Sequence, residues 1–308
     1  MNRNGDAHEL LERARIGMLA LNANRMPLVT PAAFYLAGSS LLMTTSRHAV
    51  KVVLARRDPR AAFLVEDAGL SVVLQGLLEV FDPRSLQGPV RAALEGPRFA
   101  LSVAGYALKN APFIAGYLLD LASIPGEWWP QNRVLLRLRV AHRRELPALE
   151  LPAAAAARLP GVPVAIARPL ARNRAGRLCW SLGGSPQLAP VPWALDGPDA
   201  LVWLPAGTGR PPREGAPAAL LVESHHPFRA TRMLGACLRG HLHAEPGAAD
   251  TIQERYGQPL GGDGISLRLV SERATWWRGF QVRTVPLGER AASPPSRVAG
   301  AGRTAGTS

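Results

Sequence analysis

From Ile16 onward the chain runs in short apolar stretches with alternating character, broken by Gly, Asn, Asp and Pro. That period-two pattern predicts strands over Gly17–Leu21, Pro27–Tyr35, Leu41–Thr45, Ala61–Glu66 and Ser71–Phe81. The breaks hold the turn residues Asn22-Ala-Asn-Arg25, Gly38-Ser-Ser40 and Asp67-Ala-Gly69. Two helical segments interrupt the strands. Ala7–Arg15 puts Leu10, Leu11 and Ala14 on one face behind Asp6 as a cap, and Ser46 is expected to cap a helix over about Arg47–Arg56 that Asp58-Pro59 ends.

The second half repeats the first. Pro186-Gln-Leu-Ala-Pro190 parallels Pro27-Leu-Val-Thr-Pro31, and Val-Pro-Trp193 follows where Ala-Ala-Phe34 stood. Arg60-Ala-Ala-Phe-Leu-Val-Glu66 aligns without a gap to Pro217-Ala-Ala-Leu-Leu-Val-Glu223. Val73-Leu-Gln-Gly76 answers Cys237-Leu-Arg-Gly240, and Leu136-Arg-Leu138 answers Leu267-Arg-Leu269. Conserved order and spacing over this many segments is the mark of an internal duplication. The expected organisation is a first unit at 7–146 with a helical insertion at 84–130, an Ala/Pro linker at 147–163, and a second unit at 164–286. A disordered tail is expected at 287–308, where Gly, Ala, Ser, Pro and Arg show no period. The apolar stretch Phe99–Ser123 carries Lys109, Asn110, Pro112 and Asp120, which argues against a membrane span.

Composition changes this picture little. The 308 residues are 47% hydrophobic and 19% charged, an ordinary globular balance, and the net charge is +13. The charge comes almost wholly from scattered arginines, Lys51 and Lys109 being the two lysines. Nucleic-acid binding needs a basic patch rather than a basic average, so that reading is disfavoured. Cys179 and Cys237 have no metal-ligand spacing and suit buried thiols in a reducing compartment. Met1–Arg15 has no apolar leader, and a cytoplasmic location is expected.

Candidate chemistry concentrates at Met43-Thr-Thr-Ser-Arg47 and Lys51. A strand end running into a helix N-terminus offers free N–H groups to a phosphate, and Arg47 and Lys51, four apart, would share the face that meets it. The equal alternative from the residues alone is a capped surface helix with two solvated cations. At the matching place the second unit reads Pro205-Ala-Gly-Thr-Gly-Arg-Pro-Pro-Arg213, where Pro211 and Pro212 forbid a regular helix, so one phosphate site is expected rather than two. His241 and His243 share a strand face and offer a metal or haem reading. No HExxH, Walker loop or GxGxxG is present.

The run MLALNANRMPLVTPAAFYLAGSSLLMTTSRHAVKVVLARRDPRAAFLVED, then VVLQGLLEVFDP, resembles the pyridoxamine-phosphate-oxidase-like, FMN-binding split-barrel family, and LRLVSERATWWRGFQVRT resembles its closing strand. The resemblance implies an α+β, mainly β chain of two tandem split barrels packed as an internal pseudo-dimer, either monomeric or further paired as a homodimer. It implies a cytoplasmic oxidoreductase holding FMN without a covalent bond, with a small-molecule substrate and an electron donor. The flavin phosphate would lie at Met43, Thr44, Thr45, Ser46, Arg47 and Lys51, and the ring beside Val29, Thr30 and Pro31. Gln75 would face the cofactor, and Trp277 of the second unit would form a wall. The alternatives are a deazaflavin in the same groove and a non-catalytic flavin- or haem-binding protein. Pyridoxamine phosphate is not expected as substrate, because the Arg-x-His-Asp-Arg signature is missing after Trp277.

Overall fold

The alternating runs close on themselves. In a computed structural model that describes residues 3–287, apart from 24–25, 68, 86–89, 91–92, 148, 150 and 227, the first unit holds six antiparallel strands. These are β1 (Ile16–Ala23), β2 (Met26–Ala37), β3 (Ser40–Ser46), β4 (Arg60–Asp67), β5 (Leu70–Phe81) and β6 (Arg133–Pro147). They form a closed barrel in the order β1-β2-β3-β6-β5-β4. Closure removes the exposed edges that a six-stranded sheet would otherwise present. Helix α1 (Arg3–Arg13) packs Leu10 and Leu11 on the barrel core beside Phe34, Met43, Phe63 and Leu136.

The second unit contains β7 (Gly176–Leu182), β8 (Ser185–Val191), β9 (Trp193–Asp196), β10 (Asp199–Pro205), β11 (Ala216–Ser224), β12 (Leu234–Ala244), β13 (Gly264–Arg278) and β14 (Gln281–Pro286). Their order is β8-β7-β11-β12-β13-β10-β9, with β14 added beside β13. This is the first unit's order with one change: β8 and β9 together do the work of β2. The break falls at Pro192, which has no N–H to give a ladder.

Strand pairing reproduces the duplication residue by residue. Ala20 faces Val29 as Cys179 faces Leu188, and Phe34 faces Met43 as Trp193 faces Val202. Ala61 faces Gly76 as Ala218 faces Gly240, and Leu41 faces Leu138 as Ala200 faces Leu269. Both units also carry a β-bulge at the same step, Gln75/Gly76 against β6 and Arg239/Gly240 against β13. A Cβ on Gly76 would lie 1.8 Å from the Arg139 carbonyl oxygen, and one on Gly240 would lie 1.8 Å from that of Val270. Gly76→Ala and Gly240→Ala are therefore each expected to destabilise the protein by about 1–3 kcal/mol through backbone displacement, to be measured by urea unfolding. An effect at one glycine alone would show that the two bulges are not equivalent.

The units pack through matched faces. Met18, Ala20, Val29, Ala62, Leu64 and Val73 share one buried cluster with Cys179, Leu188, Ala219, Leu221 and Cys237, which occupy the corresponding positions from Ala20 onward. Met18 corresponds to the one charged member of this set, Arg177, whose Nε donates to Glu66 Oε2 at 2.7 Å and whose Nη1 lies 3.8 Å from Glu223 Oε1. Glu66 and Glu223 are themselves counterparts, so a single guanidinium answers both. Burial pushes the Cys179 and Cys237 thiols up, Cys237 to about 11, which leaves both protonated and inert at neutral pH.

The helix after β3 departs from expectation. It is α2 (Val50–Arg57), three residues later than predicted, and its N-cap is Ala49 rather than Ser46. Ser46 Oγ instead accepts the His48 N–H at 3.2 Å and closes the turn that precedes the helix. Arg47 consequently lies outside the helix and does not share a face with Lys51. The insertion forms α3 (Pro97–Lys109) and α4 (Ala111–Leu119), joined at Asn110. Short α5 (Val164–Leu170) and α6 (Ala248–Tyr256) were not anticipated; α6 occupies between β12 and β13 the place that α3 and α4 hold between β5 and β6. The expected tail lies outside the described residues from 288 onward. No helix among the described residues is long and apolar enough to cross a membrane.

Candidate functional site

Strand alternation sorts the predicted site residues into two sets. Met43 faces the first barrel's core and is fully buried there, and Thr45 is buried on the same side of β3. Thr44 and Ser46 face the other way, toward the helical hairpin and the short turns that follow it. Thr44 Oγ1 lies 3.0 Å from the Tyr106 hydroxyl and accepts a 2.7 Å hydrogen bond from Arg133 Nη2. Ser46 Oγ donates to the Glu127 carbonyl. Thr30 and Pro31 are half-buried on β2, and the Pro31 carbonyl accepts the Lys51 ammonium at 3.3 Å.

Lys51 and Arg133 are the decisive pair. Among the described residues neither has a carboxylate partner, whereas Arg47, Arg60 and Arg137 of the same unit each have one. Burial, and then the neighbouring Arg133 guanidinium, lower the Lys51 pKa from 10.5 to about 8. Arg133 also stands 5.4 Å from the ring centroid of Tyr117, a cation–π contact. Burial raises the Tyr106 and Tyr117 hydroxyls, so both remain neutral donors or acceptors. Two cations, two phenols and a threonine hydroxyl thus gather with no carboxylate among the described residues paired to either cation.

Arg47 is placed differently. It ion-pairs with Asp82, which also accepts Arg56 at 3.0 Å. Burial works to raise the Asp82 carboxyl, but the Arg84 N–H and then the Arg47 guanidinium outweigh it, and the net shift is downward. Arg47 is therefore already neutralised by a protein group. Its backbone N–H goes to the Asn132 carbonyl at 2.8 Å, leaving no free amide there for a phosphate. Val29 is fully buried in the cluster between the units. Gln75 donates across the same boundary to the Pro186 carbonyl at 2.9 Å, so it joins the units and does not point into the groove.

The second unit meets the helical hairpin of the first. The hairpin of the insertion reaches it: Asp120 pairs with Arg229 at 2.7 Å, and Gly116 meets the Phe228 backbone so closely that a Cβ would fall 1.8 Å from its oxygen. Phe280, at the β13–β14 turn, packs on Tyr117 and Trp128 with ring centroids 6.2 and 5.0 Å apart. Trp277 is buried, lies across Gly235, and belongs to the cluster between the units. His241 and His243 lie elsewhere, each against an exposed carboxylate, Glu272 at 2.8 Å and Glu214 at 2.6 Å. No group of three or more metal-ligating side chains occurs among the described residues.

Sequence reasoning missed Arg133, Tyr106 and Tyr117. Arg133 opens β6 and meets Ser46 only through strand pairing across 87 positions, a partnership no local motif announces. The tyrosines reach Thr44 and Arg133 because the hairpin folds back over β2 and β3.

The family model described as pyridoxamine 5'-phosphate oxidase matches residues 3–99. None of the curated proteins matches the chain in sequence. Solved structures similar to part of it include the general stress protein 26 from Bacillus anthracis, at 15% identity over 49% of this chain and 100% of that one, TM-score 0.33. Another is a pyridoxamine 5'-phosphate oxidase-related, FMN-binding protein from Nostoc punctiforme, at 19% identity over 48% and 84%, TM-score 0.33. A third is a heme-binding protein from Mycobacterium smegmatis, at 21% identity over 46% and 53%, TM-score 0.32. At such identities and scores these likenesses carry no weight for the site. The model match falls on the first unit, and the second unit repeats that unit's strand register position by position. The chain is therefore a tandem split-barrel protein whose first unit, over residues 3–99, matches the family model described as pyridoxamine 5'-phosphate oxidase.

Proposed function

We infer that the first unit binds FMN, its phosphate seated between Lys51, Arg133 and Thr44, and that the chain is a flavin-dependent oxidoreductase acting on a small molecule with a separate electron donor. The observation that carries this reading is that Arg133, held on the Thr44 hydroxyl, and the neighbouring Lys51, held on the Pro31 carbonyl, have no carboxylate partner among the described residues. Buried charge is retained where a ligand of opposite sign completes it. Arg133 would make a forked, charge-assisted contact, Lys51 a point-charge contact, and Tyr106 a neutral hydrogen bond.

FMN supplies hydride chemistry through its ring when bound. The chain's own residues bind, orient and exclude water. Tyr117, Trp128 and Phe280 cover the seat with aromatic surface from both units, and Pro31 lies beside Lys51. No side chain here is needed as a proton donor.

The purified protein is expected to show a two-band flavin spectrum or to acquire one on adding FMN, and to release FMN on denaturation. A colourless protein that does not take up added FMN would overturn the reading; a Soret band would move the cofactor away from this seat. The pH dependence follows from Lys51. Its free-protein pKa of about 8 means that the ammonium is present below pH 8 and is lost above it. A bound phosphate raises that pKa, so FMN affinity is expected to fall by up to tenfold per pH unit above pH 8, measured by flavin fluorescence quenching. A flat profile to pH 10 would exclude Lys51 from the phosphate contact.

A further inference from the structure

The groove that seats the anion in the first unit has a counterpart in the second, rebuilt for a different ligand. Strand register fixes the correspondence: Thr44 maps to Trp203, Ser46 to Pro205, and Arg133 to Gly264. The exchange is concerted. Trp203 lays its indole where the Arg133 side chain would project, and a Cβ at Gly264 would fall 2.5 Å from that ring. Pro31 maps to Pro190, and Leu146 of the first unit is the register counterpart of Trp277. Leu146 lines the second groove, which thus draws part of its wall from the first unit.

What remains is a cavity of about 250 Å³, walled by Pro190, Pro192, Trp203, Tyr256 and Leu260 and closed by Leu151 from the segment between the units. Two unsatisfied polar groups stand at this cavity, Trp203 in its wall and Arg144 beside the lining residue Thr208. The Trp203 Nε1–H is buried without a hydrogen-bond partner, and buried indole donors are normally satisfied. Arg144, on the same face of β6 as the wall residue Leu146, has buried Nε and Nη2 atoms that are also unpartnered. Its guanidinium lies over Gly209, next to the lining residue Thr208, where φ is +125° and a Cβ would strike Nη1 at 2.2 Å. The backbone there is shaped around the arginine, yet among the described residues no carboxylate meets it. Burial alone lowers its pKa, the mark of a guanidinium without an anion.

We propose that this second groove binds a small aromatic carboxylate, its ring between Trp203 and the prolines, its carboxylate on Arg144 and an acceptor atom on the Trp203 N–H. The volume is below that of ordinary cofactor pockets, which fits one or two fused rings and excludes a second FMN.

The test is calorimetric titration of the full chain with 1-naphthoate and with the uncharged 1-naphthalenemethanol, in wild type, Arg144→Gln and Ala206→Trp. Ala206 is an exposed loop residue lining the cavity, so the Trp fills the space without disturbing a core. Saturable one-to-one binding of 1-naphthoate is expected, weakened about tenfold or more by loss of the charge-assisted contact in Arg144→Gln, absent in Ala206→Trp, and at least tenfold weaker for the alcohol. No binding to wild type, or binding that survives Ala206→Trp, would overturn the site. Equal binding of acid and alcohol, or binding indifferent to Arg144→Gln, would overturn the ligand class.

Discussion

Arg177→Met is expected to destabilise the protein by about 3–5 kcal/mol, enough to unfold most natural domains at moderate temperature. Methionine is the residue the first unit already carries at the corresponding position, Met18, so volume and shape are not the difficulty. The cost arises from the two acids left behind. Glu223 is only 2% exposed in its side chain, and its Oε2 has no partner even with Arg177 present. Glu66 would lose a 2.7 Å charge-assisted bond. Removing one member of a buried ion pair leaves an uncompensated charge in a poor solvent, which is far worse than never having built the pair. The sign of the pH dependence follows. His225, 3.3 Å from Glu223 Oε1, has its pKa raised by that contact, so as pH falls it gains charge and supplies part of the missing countercharge; the deficit is therefore largest at neutral pH and shrinks toward pH 5. Urea unfolding at pH 7 and pH 5 checks the claim, with Arg177→Met/Glu66→Gln/Glu223→Gln as the rescue. A variant as stable as wild type at pH 7 would show that the two glutamates are not held by Arg177.

Lys51→Met is expected to do two opposite things: weaken FMN binding at least tenfold and make the flavin-free protein more stable. The shift of Lys51 from 10.5 to about 8 says that the fold disfavours the ammonium it contains. Below pH 8 both folded and unfolded chains hold the proton, so the penalty is constant there. Between pH 8 and 10.5 only the unfolded chain holds it, and the penalty fades as pH rises. Allowing for the part of the side chain that still meets solvent, the methionine should recover about 2 kcal/mol at pH 7. A residue that destabilises its own fold is kept for what it binds. Thermal unfolding of the flavin-free forms, beside FMN titration, reads both effects; a destabilised Lys51→Met would mark Lys51 as a structural residue.

The strands and the duplication were legible in the sequence because each rests on local pattern. Pro27 to Pro31 and Pro186 to Pro190, or the two Gly residues at 76 and 240, mark the same backbone event twice, and pairing then confirmed the alignment position by position. The seat itself was half legible. Thr44 and Lys51 were expected and belong to the seat inferred above. Arg47 was expected on the spacing of a helix that begins at Val50, and the acid that claims it, Asp82, lies 35 residues away. Arg133 arrives from the far strand and the tyrosines from the insertion. Such long-range partners depend on closure of the barrel, which no window of sequence contains.

The most direct test of the account compares FMN with riboflavin, which differ by the phosphate alone. Affinities should be measured by fluorescence quenching at pH 7 on wild type and Lys51→Met, with folding of both confirmed by circular dichroism. The account predicts that wild type binds FMN at least a hundredfold more tightly than riboflavin, two charge-assisted contacts at about 1.5 kcal/mol each, and that Lys51→Met removes at least tenfold of that preference. Equal affinity of wild type for the two flavins would contradict the assignment of Lys51, Arg133 and Thr44 as a phosphate seat.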